Sequence, residues 1–465
     1  MKRNLLLVSV ILLFAVSAFA QDIKKGAITK EMLQEFRSSY KENAYHKAVE
    51  HAVWHNPLAK LAYTGKNDNI DDYFKYRVKT KGITNQKQSG RCWMFASLNT
   101  IRPIIINKLN LSSFEFSTNY LYFYDQLEKS NLFLEGIIQT GNAPYTDRTV
   151  EWLFNNPIGD GGVWNLFVDL VKKYGVVPKE VMPENYNSEN TRQLNKMLKY
   201  KLREYGYQLK EAALKGTSYN DLEKQKKEML KDIYKILVIG LGEPPTEFTW
   251  RYKDADGNVS EWKKYTPKSF YDTYIGKNLD DYVLIMDDPS RDYYKLYEIE
   301  YDRDLYEGRN WWFINLPTNK FKKAALEAIK NNEALYFSCD VGKELDRDKG
   351  ILAMGNYDYG SLFDTKMAMD KKARVLTHQS GSTHGMALVG VDVDNKGNIT
   401  KWLLENSWGS NHGHNGYLIM TDEWFDNYMF RIVISKKYLS DDIIKMLDQK
   451  KTKLPPWDPM FEYDK

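Results

Sequence analysis

The chain has 465 residues, too many for one compact core, and that length favours two or three lobes. Its composition, 43% hydrophobic, 28% charged and 14% aromatic, is ordinary for a soluble globular protein, and two cysteines exclude a disulfide framework. A formal charge of +4, or +2 without Lys2 and Arg3, gives no global argument for nucleic acid as a partner.

Lys2 and Arg3 precede the apolar run Leu5 to Phe14, and Ala18-Phe19-Ala20 follows it. This is the pattern of a secretory signal peptide, residues 1–20, cut before Gln21, and it implies export to the periplasm or the medium. The run is too short to span a bilayer comfortably, and no cysteine follows the cut to carry a lipid, so no stable membrane anchor is expected. Residues 21–80 read as a polar helical arm. Its His51 and His55 lie four apart on one helix face, but no acidic or cysteine cluster completes a metal signature, so these histidines read as surface or packing residues.

Thr84 to Ser97 holds Gln86 six residues before Cys92, and Cys92 opens an apolar helix with Met94, Phe95, Ala96, Leu98 and Ile101 on its buried side. Ser89 is the expected N-cap. A thiol in the first turn of a helix sees orphan N–H groups and the positive end of the dipole, both of which favour thiolate. Alone, the cysteine reads equally as a packed structural residue. Asp160-Gly161-Gly162-Val163-Trp164 introduces an amphipathic helix, Asn165 to Tyr174, closed by Gly175; paired glycines let another backbone approach closely, or mark an ordinary turn.

Residues 190–238 are helical and lysine-rich, with twelve Lys/Arg against six Asp/Glu between Thr191 and Gly240. They read as a solvated face, or as a lining for anions. Thr249 to Tyr265 reads as a hairpin, and from Trp311 onward strands alternate with helices. Leu335 to Val341 is a strand containing Cys339, and a disulfide between Cys92 and Cys339 would silence Cys92. Met386 to Val393 turns at Asn395-Lys396-Gly397-Asn398 and returns through Trp402 to Gly409.

His384 enters that hairpin eleven residues before the turn and Asn406 leaves it eight after, so antiparallel pairing sets them side by side. The expected bond runs from the imidazole Nδ1–H to the Asn406 amide oxygen, turning Nε2 outward, with Trp408 covering the pair. A cysteine at a helix start, a remote histidine and then Asn-Ser-Trp-Gly, in that order, resembles the papain superfamily of cysteine peptidases. More narrowly the chain resembles the bleomycin hydrolase and aminopeptidase C family. The resemblance runs through Asn85-Gln86-Lys87, Ser89 to Trp93, Asp160-Gly161-Gly162, Lys173 to Lys179, Cys339 to Lys343, Glu405 to Gly409, His412-Gly413-His414, Met420 to Phe425 and Leu454 to Met460.

That resemblance implies an α+β, papain-like two-lobed fold, a helical lobe and an antiparallel β-barrel-like lobe, with a large helical insertion and terminal arms. The corresponding divisions are 21–80 for the N-terminal arm, 81–188 for the helical lobe with the nucleophile, 189–310 for the insertion, 311–452 for the β-rich lobe and 453–465 for a C-terminal arm. It implies Cys92 as nucleophile, His384 as base, Asn406 as its orienter, and Gln86 with the Cys92 N–H as oxyanion hole. It also implies Gly161 and Gly162 as substrate-binding residues, and no cofactor or metal. A tail from Phe461 to Lys465 would enter the cleft, its carboxylates meeting a substrate's free α-amine, which makes the expected activity that of an aminopeptidase on peptides. A homo-hexamer is implied as well. Departures are Ser89-Gly90-Arg91 where plain papains have a Cys-Gly-Ser start, the 292-residue interval from Cys92 to His384, the glycine- and serine-rich run Ser380 to Thr383, and the signal peptide itself. The alternatives are a papain-like endopeptidase with an open cleft or, from the local +6 segment, a polyanion- or nucleic-acid-binding protein.

Overall fold

The computed structural model describes residues 26–462; the expected signal segment 1–20, the side chain of Glu462, and Tyr463, Asp464 and Lys465 lie outside the described residues. Two compact units emerge, one from the N-terminal segment through Tyr63 with Asp358–Thr365, the other from Thr64–Tyr357 with Lys366–Lys465.

The first unit is built on helices Lys30–Ser39, Ala44–His55 and Leu58–Ala62. Thr29 and Asn43 cap the first two through their side-chain oxygens. Neither of these two helices buries a residue within the chain, and Met32, Leu33, Phe36 and Trp54 are exposed. The helical part therefore stops at Ala62 rather than near residue 80. Beyond it the chain turns at residues 66–69 without further helix up to residue 80, and Tyr76–Arg77 pairs with Gly390 and Val391 in the sheet, a non-local contact that local periodicity cannot register.

In the second unit, helix Cys92–Lys108 is buried on almost every side, not on one stripe. Trp93, Met94, Leu98, Ile101 and Ile105 all have 3% exposure or less, the signature of a central helix rather than a surface one. Helix Thr118–Gln139 packs beside it. The lysine-rich region forms two helices, Arg192–Leu214 and Tyr219–Leu241, turned at Gly216 with φ +84°. Leu194, Leu198, Leu202, Tyr205 and Leu209 give the first one apolar stripe, and Leu222, Met229, Ile233 and Leu237 give the second another. Their lysines are not one binding face: Lys210 donates to the carbonyls of Thr140, Gly141 and Ala143, Lys226 pairs with Glu135 at 2.5 Å, and others lie in solvent.

Phe248–Trp250 and Lys263–Tyr265 pair as the expected hairpin. The main sheet, however, starts earlier than Trp311. Tyr282–Met286 and Lys295–Ile299 both join it, so the region expected to be all insertion up to residue 310 contributes two of its strands. Tyr282–Met286 is buried by its partner Met429–Ser435, more than a hundred residues downstream, which is why sequence pattern alone did not assign it. At the sheet's centre His384–Val393 lies between Leu335–Cys339 and Ile399–Glu405, antiparallel to both. Helix Cys92–Lys108 packs on the first two of these. This contact places the start of the helix against the start of strand His384–Val393. Both chemistry-bearing ends therefore meet at one edge.

Candidate active site

Cys92 is the first residue of its helix, but the N-cap is Arg91 and no side chain caps it. Ser89, the expected cap, is drawn into a different bond: its Oγ donates to Gln86 O at 2.7 Å and accepts from Arg91 Nε at 3.0 Å. Arg91 is fully buried and reaches Glu184 through Nη2 at 2.9 Å. A guanidinium fixed between two partners holds the loop Ser89–Arg91 as a unit, which replaces the cap as the device that starts the helix.

Gln86 is held from both ends. Its N–H donates to Ser407 O at 2.8 Å, its Oε1 accepts from Ser407 Oγ at 2.7 Å, and its Nε2 donates to Ser89 O at 2.7 Å. With one Nε2 hydrogen committed, the amide has a second donor in a fixed position. Ser407 was read only as part of the Asn-Ser-Trp-Gly run, and the signal that could have given it a role is its place between Asn406 and Trp408.

His384 opens the central strand and sits directly opposite Cys339. Its Nε2 lies 2.8 Å from Asn406 Oδ1. A carbonyl oxygen only accepts, so Nε2 carries the proton and Nδ1 keeps its lone pair. This corrects the expected Nδ1 bond. Ala387 pairs with Glu405, and continuing that register sets Asn406 opposite Met386, two residues along from His384. On that diagonal the far nitrogen of the ring reaches the amide, and the near nitrogen is turned away from it. Ser407 N also donates to Asn406 Oδ1 at 2.8 Å, fixing which way the amide faces. Trp408 stacks over the imidazole with centroids 4.9 Å apart and planes 31° apart, so it covers the bond as expected. Burial, with a further push from the Arg347 charge and against the pull of the Asn406 bond, lowers the imidazole to about 4. Near neutral pH this leaves a neutral base rather than a free-standing imidazolium.

Gln86, Cys92, Trp93, Gly161, Gly162 and His384 line one cleft of about 270 Å³. Gly162 is there because nothing larger fits: an added Cβ would stand 2.7 Å from the Trp93 indole and 2.9 Å from Leu166. Asp160, which had no assigned role, anchors this wall. It accepts from Gly90 N at 2.9 Å and Tyr122 OH at 2.7 Å, and from Thr191 and Asn195, while its own carbonyl accepts from Trp93 Nε1 at 2.7 Å. Burial opposes its charge, yet those hydrogen bonds hold its carboxyl below the usual carboxylate range. Lys129 adds bonds to Gly161 O at 2.6 Å and Gly159 O at 3.1 Å.

The tail approaches the same wall. Arg291 holds Asp458 at 3.0 Å, Arg431, a residue of the cleft, donates to Met460 O, and Phe461 lines a smaller pocket of about 70 Å³ with Gly161 and Gly162. Lys465, expected as a substrate contact, lies beyond Phe461 and outside the described residues. Cys92 and Cys339 are not joined in a disulfide; Cys339 is buried behind His384, and burial pushes its thiol well up.

The sequence profile of the Peptidase C1-like family matches residues 27–461. The chain is 38% identical over 440 residues to aminopeptidase C of Lactobacillus delbrueckii subsp. lactis, covering 93% of this chain and 98% of that protein. It is 38% identical over 398 residues to bleomycin hydrolase of Homo sapiens, covering 83% and 88%. The crystal structure of PepW from Lactobacillus rhamnosis HN001 superposes with a TM-score of 0.91 at 38% identity, over 94% of this chain and 99% of that one.

Proposed function

Because the chain belongs to the Peptidase C1-like family, we infer that it is a cysteine aminopeptidase, releasing N-terminal residues from peptides through a thioester. The observation that carries this is the shared cleft, where a thiol at a helix start and a buried, amide-tethered imidazole face one cavity walled by Gly161 and Gly162. Nδ1 of His384 takes the thiol proton as Cys92 Sγ attacks the carbonyl carbon of the first residue. Negative charge gathers on the carbonyl oxygen, where Gln86 Nε2 and the Cys92 N–H stabilise it. The C–N bond breaks as Nδ1 returns the proton to the leaving amine. A water then enters, gives a proton to Nδ1 and attacks the thioester carbon; the C–S bond breaks, Nδ1 returns that proton to Sγ, and the amino acid leaves with Cys92 restored.

The restriction to free N-termini comes from the segment that follows Phe461. The position of Phe461 beside Gly161 and Gly162 supports this reading, since it brings the described end of the chain to the wall of the cleft. The carboxylates of that segment, Glu462 and Asp464 among them, would pair with the α-ammonium. Deleting residues from Glu462 onward is expected to let N-acetylated fluorogenic peptides be cleaved, with the ratio of blocked to free-amine kcat/KM rising by about a hundredfold or more, the scale of an ion pair plus removed steric blocking. If the shortened enzyme still refuses blocked peptides, the tail is not the reason.

The protein acts after export and as a hexamer. The basic, apolar and Ala-x-Ala sequence at the N-terminus supports the first, and the exposed Met32, Leu33, Phe36 and Trp54 of the N-terminal helices support the second, because such residues gain by burial against another copy. Native mass spectrometry of protein recovered from outside the cytoplasm reads both. A mature chain beginning at Gln21 and a six-fold mass are expected; an uncut chain removes the first claim and a monomer the second.

A further inference from the structure

We propose that Arg347 is a specificity-determining residue on the leaving-group side of the cleft, where its guanidinium binds a carboxylate carried by the residue that follows the cleaved bond. This rests on the aminopeptidase reading above.

The acyl side of the cleft is fixed by the glycine wall, with Tyr336, Ser338 and Ser382. Trp408 is not part of that lining. It covers the opposite flank of His384 and bridges to Asn85, beside Gln86. The amine that leaves must pass His384 to collect its proton, so it departs along Trp408.

Arg347 stands there. Its guanidinium carbon lies 5.7 Å from the centroid of the Trp408 ring, and its charge reaches His384. It sits in the turn between strands Leu345–Asp346 and Ile351–Leu352, and that turn is tightly built. Asp346 Oδ1 accepts from the N–H groups of Asp348 at 3.0 Å and Lys349 at 3.1 Å, and Gly350 N donates to Asp346 O at 2.9 Å. Gly350 adopts φ +69°, and a Cβ on it would stand 2.6 Å from the backbone nitrogen of His414. The turn therefore presents its side chains from a backbone with little freedom.

Its two cations are treated differently. Lys349 is paired with Asp68 at 2.6 Å, whereas Arg347 is exposed and, among the described residues, has an aromatic face beneath it but no carboxylate. A guanidinium held over an indole by its charge alone keeps its N–H donors uncommitted, and such a group can receive a carboxylate in two parallel hydrogen bonds. In a dipeptide the leaving residue brings its terminal carboxylate within two bonds of the departing nitrogen; in a longer peptide, an acidic second residue offers the same group on a side chain.

The test compares the wild type with Arg347→Ala on four probes, each with the same free N-terminal residue. These are an aminomethylcoumarin amide, a dipeptide with a free carboxylate, that dipeptide amidated, and a dipeptide amide with aspartate second. Arg347→Ala is expected to lower kcat/KM about tenfold, through KM, for probes carrying the carboxylate, and to change the neutral ones less than about twofold. Which of the two anionic probes is affected separates a terminal from a side-chain carboxylate. Arg347→Lys keeps the charge but not the two parallel hydrogen bonds and should recover only part of the loss, and Arg347→Glu should lower the anionic probes further than Arg347→Ala does. Equal losses on all four probes, or none on any, overturn the proposal. A wild type that leaves every free-amine probe intact overturns the aminopeptidase reading itself, and this proposal with it.

Discussion

Cys92→Ala is expected to lower kcat/KM on free-amine peptides by about a millionfold, the scale seen when the nucleophile of a hydrolase triad is removed. The size follows from what remains. Without Sγ there is no atom to form the thioester, and His384 and Gln86 can only assist the direct attack of water on an amide, a far less reactive carbonyl than a thioester. Cys339 cannot substitute. It is wholly buried behind His384 in the adjacent strand, with its thiol pushed well above the ordinary range by burial, so it offers no thiolate to the cleft. Fold stability should change by less than about 1 kcal/mol, because removing one sulfur from a half-buried position opens little cavity. Alkylation with iodoacetamide followed by peptide mapping supplies a second readout: the wild type should be modified at Cys92 and the variant nowhere at comparable rate. Residual activity within a hundredfold of wild type, or fast labelling elsewhere, would show that another group does the chemistry.

The identity of the reacting residues was legible because chemistry fixes residue type. A thiol at a helix start, a distant imidazole and an amide on one hairpin can be recognised before any pairing is known. Their mutual geometry was not. The choice of Nε2 over Nδ1 at Asn406 depends on a diagonal step across the His384 hairpin, and counting residues to the turn does not reveal it. Ser89 is a good N-cap by type, yet Gln86 and Arg91 compete for its hydroxyl, and the competition exists only once the loop is folded. The strand Tyr282–Met286 is stabilised by a partner that follows it by more than a hundred residues. Local periodicity carries information over a turn or two of helix; each of these features is decided by a contact made at long range.

The same long-range logic yields the largest expected effect on stability. Arg102, ten residues after Cys92 on the same helix, donates from Nη2 to Glu405 Oε1 at 2.5 Å and to Gly82 O at 3.0 Å. Glu405 immediately precedes Asn406. Both side chains are fully buried, so the pair ties the helix of the nucleophile to the strand that holds the histidine's partner. Burial raises the Glu405 carboxyl despite the opposing Arg102 charge. Arg102→Met strands that carboxylate in the core and should cost about 3–5 kcal/mol of unfolding free energy, read by urea denaturation. The loss should depend on pH in a definite direction. Without Arg102 the folded-state pKa of Glu405 rises further above its unfolded value, so the folded state binds more protons than the unfolded one, and stability falls as pH rises above the ordinary glutamate range. The deficit should therefore be smallest near pH 5 and larger at pH 8. Adding Glu405→Leu removes the stranded charge and should restore most of the loss, though not the alignment of Asn406. A double variant that regains stability but not kcat would separate the two roles of the pair, folding and registration of the site. A single variant that loses less than about 1 kcal/mol would show that water or another cation already compensates Glu405, and that the helix and strand are held in register by packing alone.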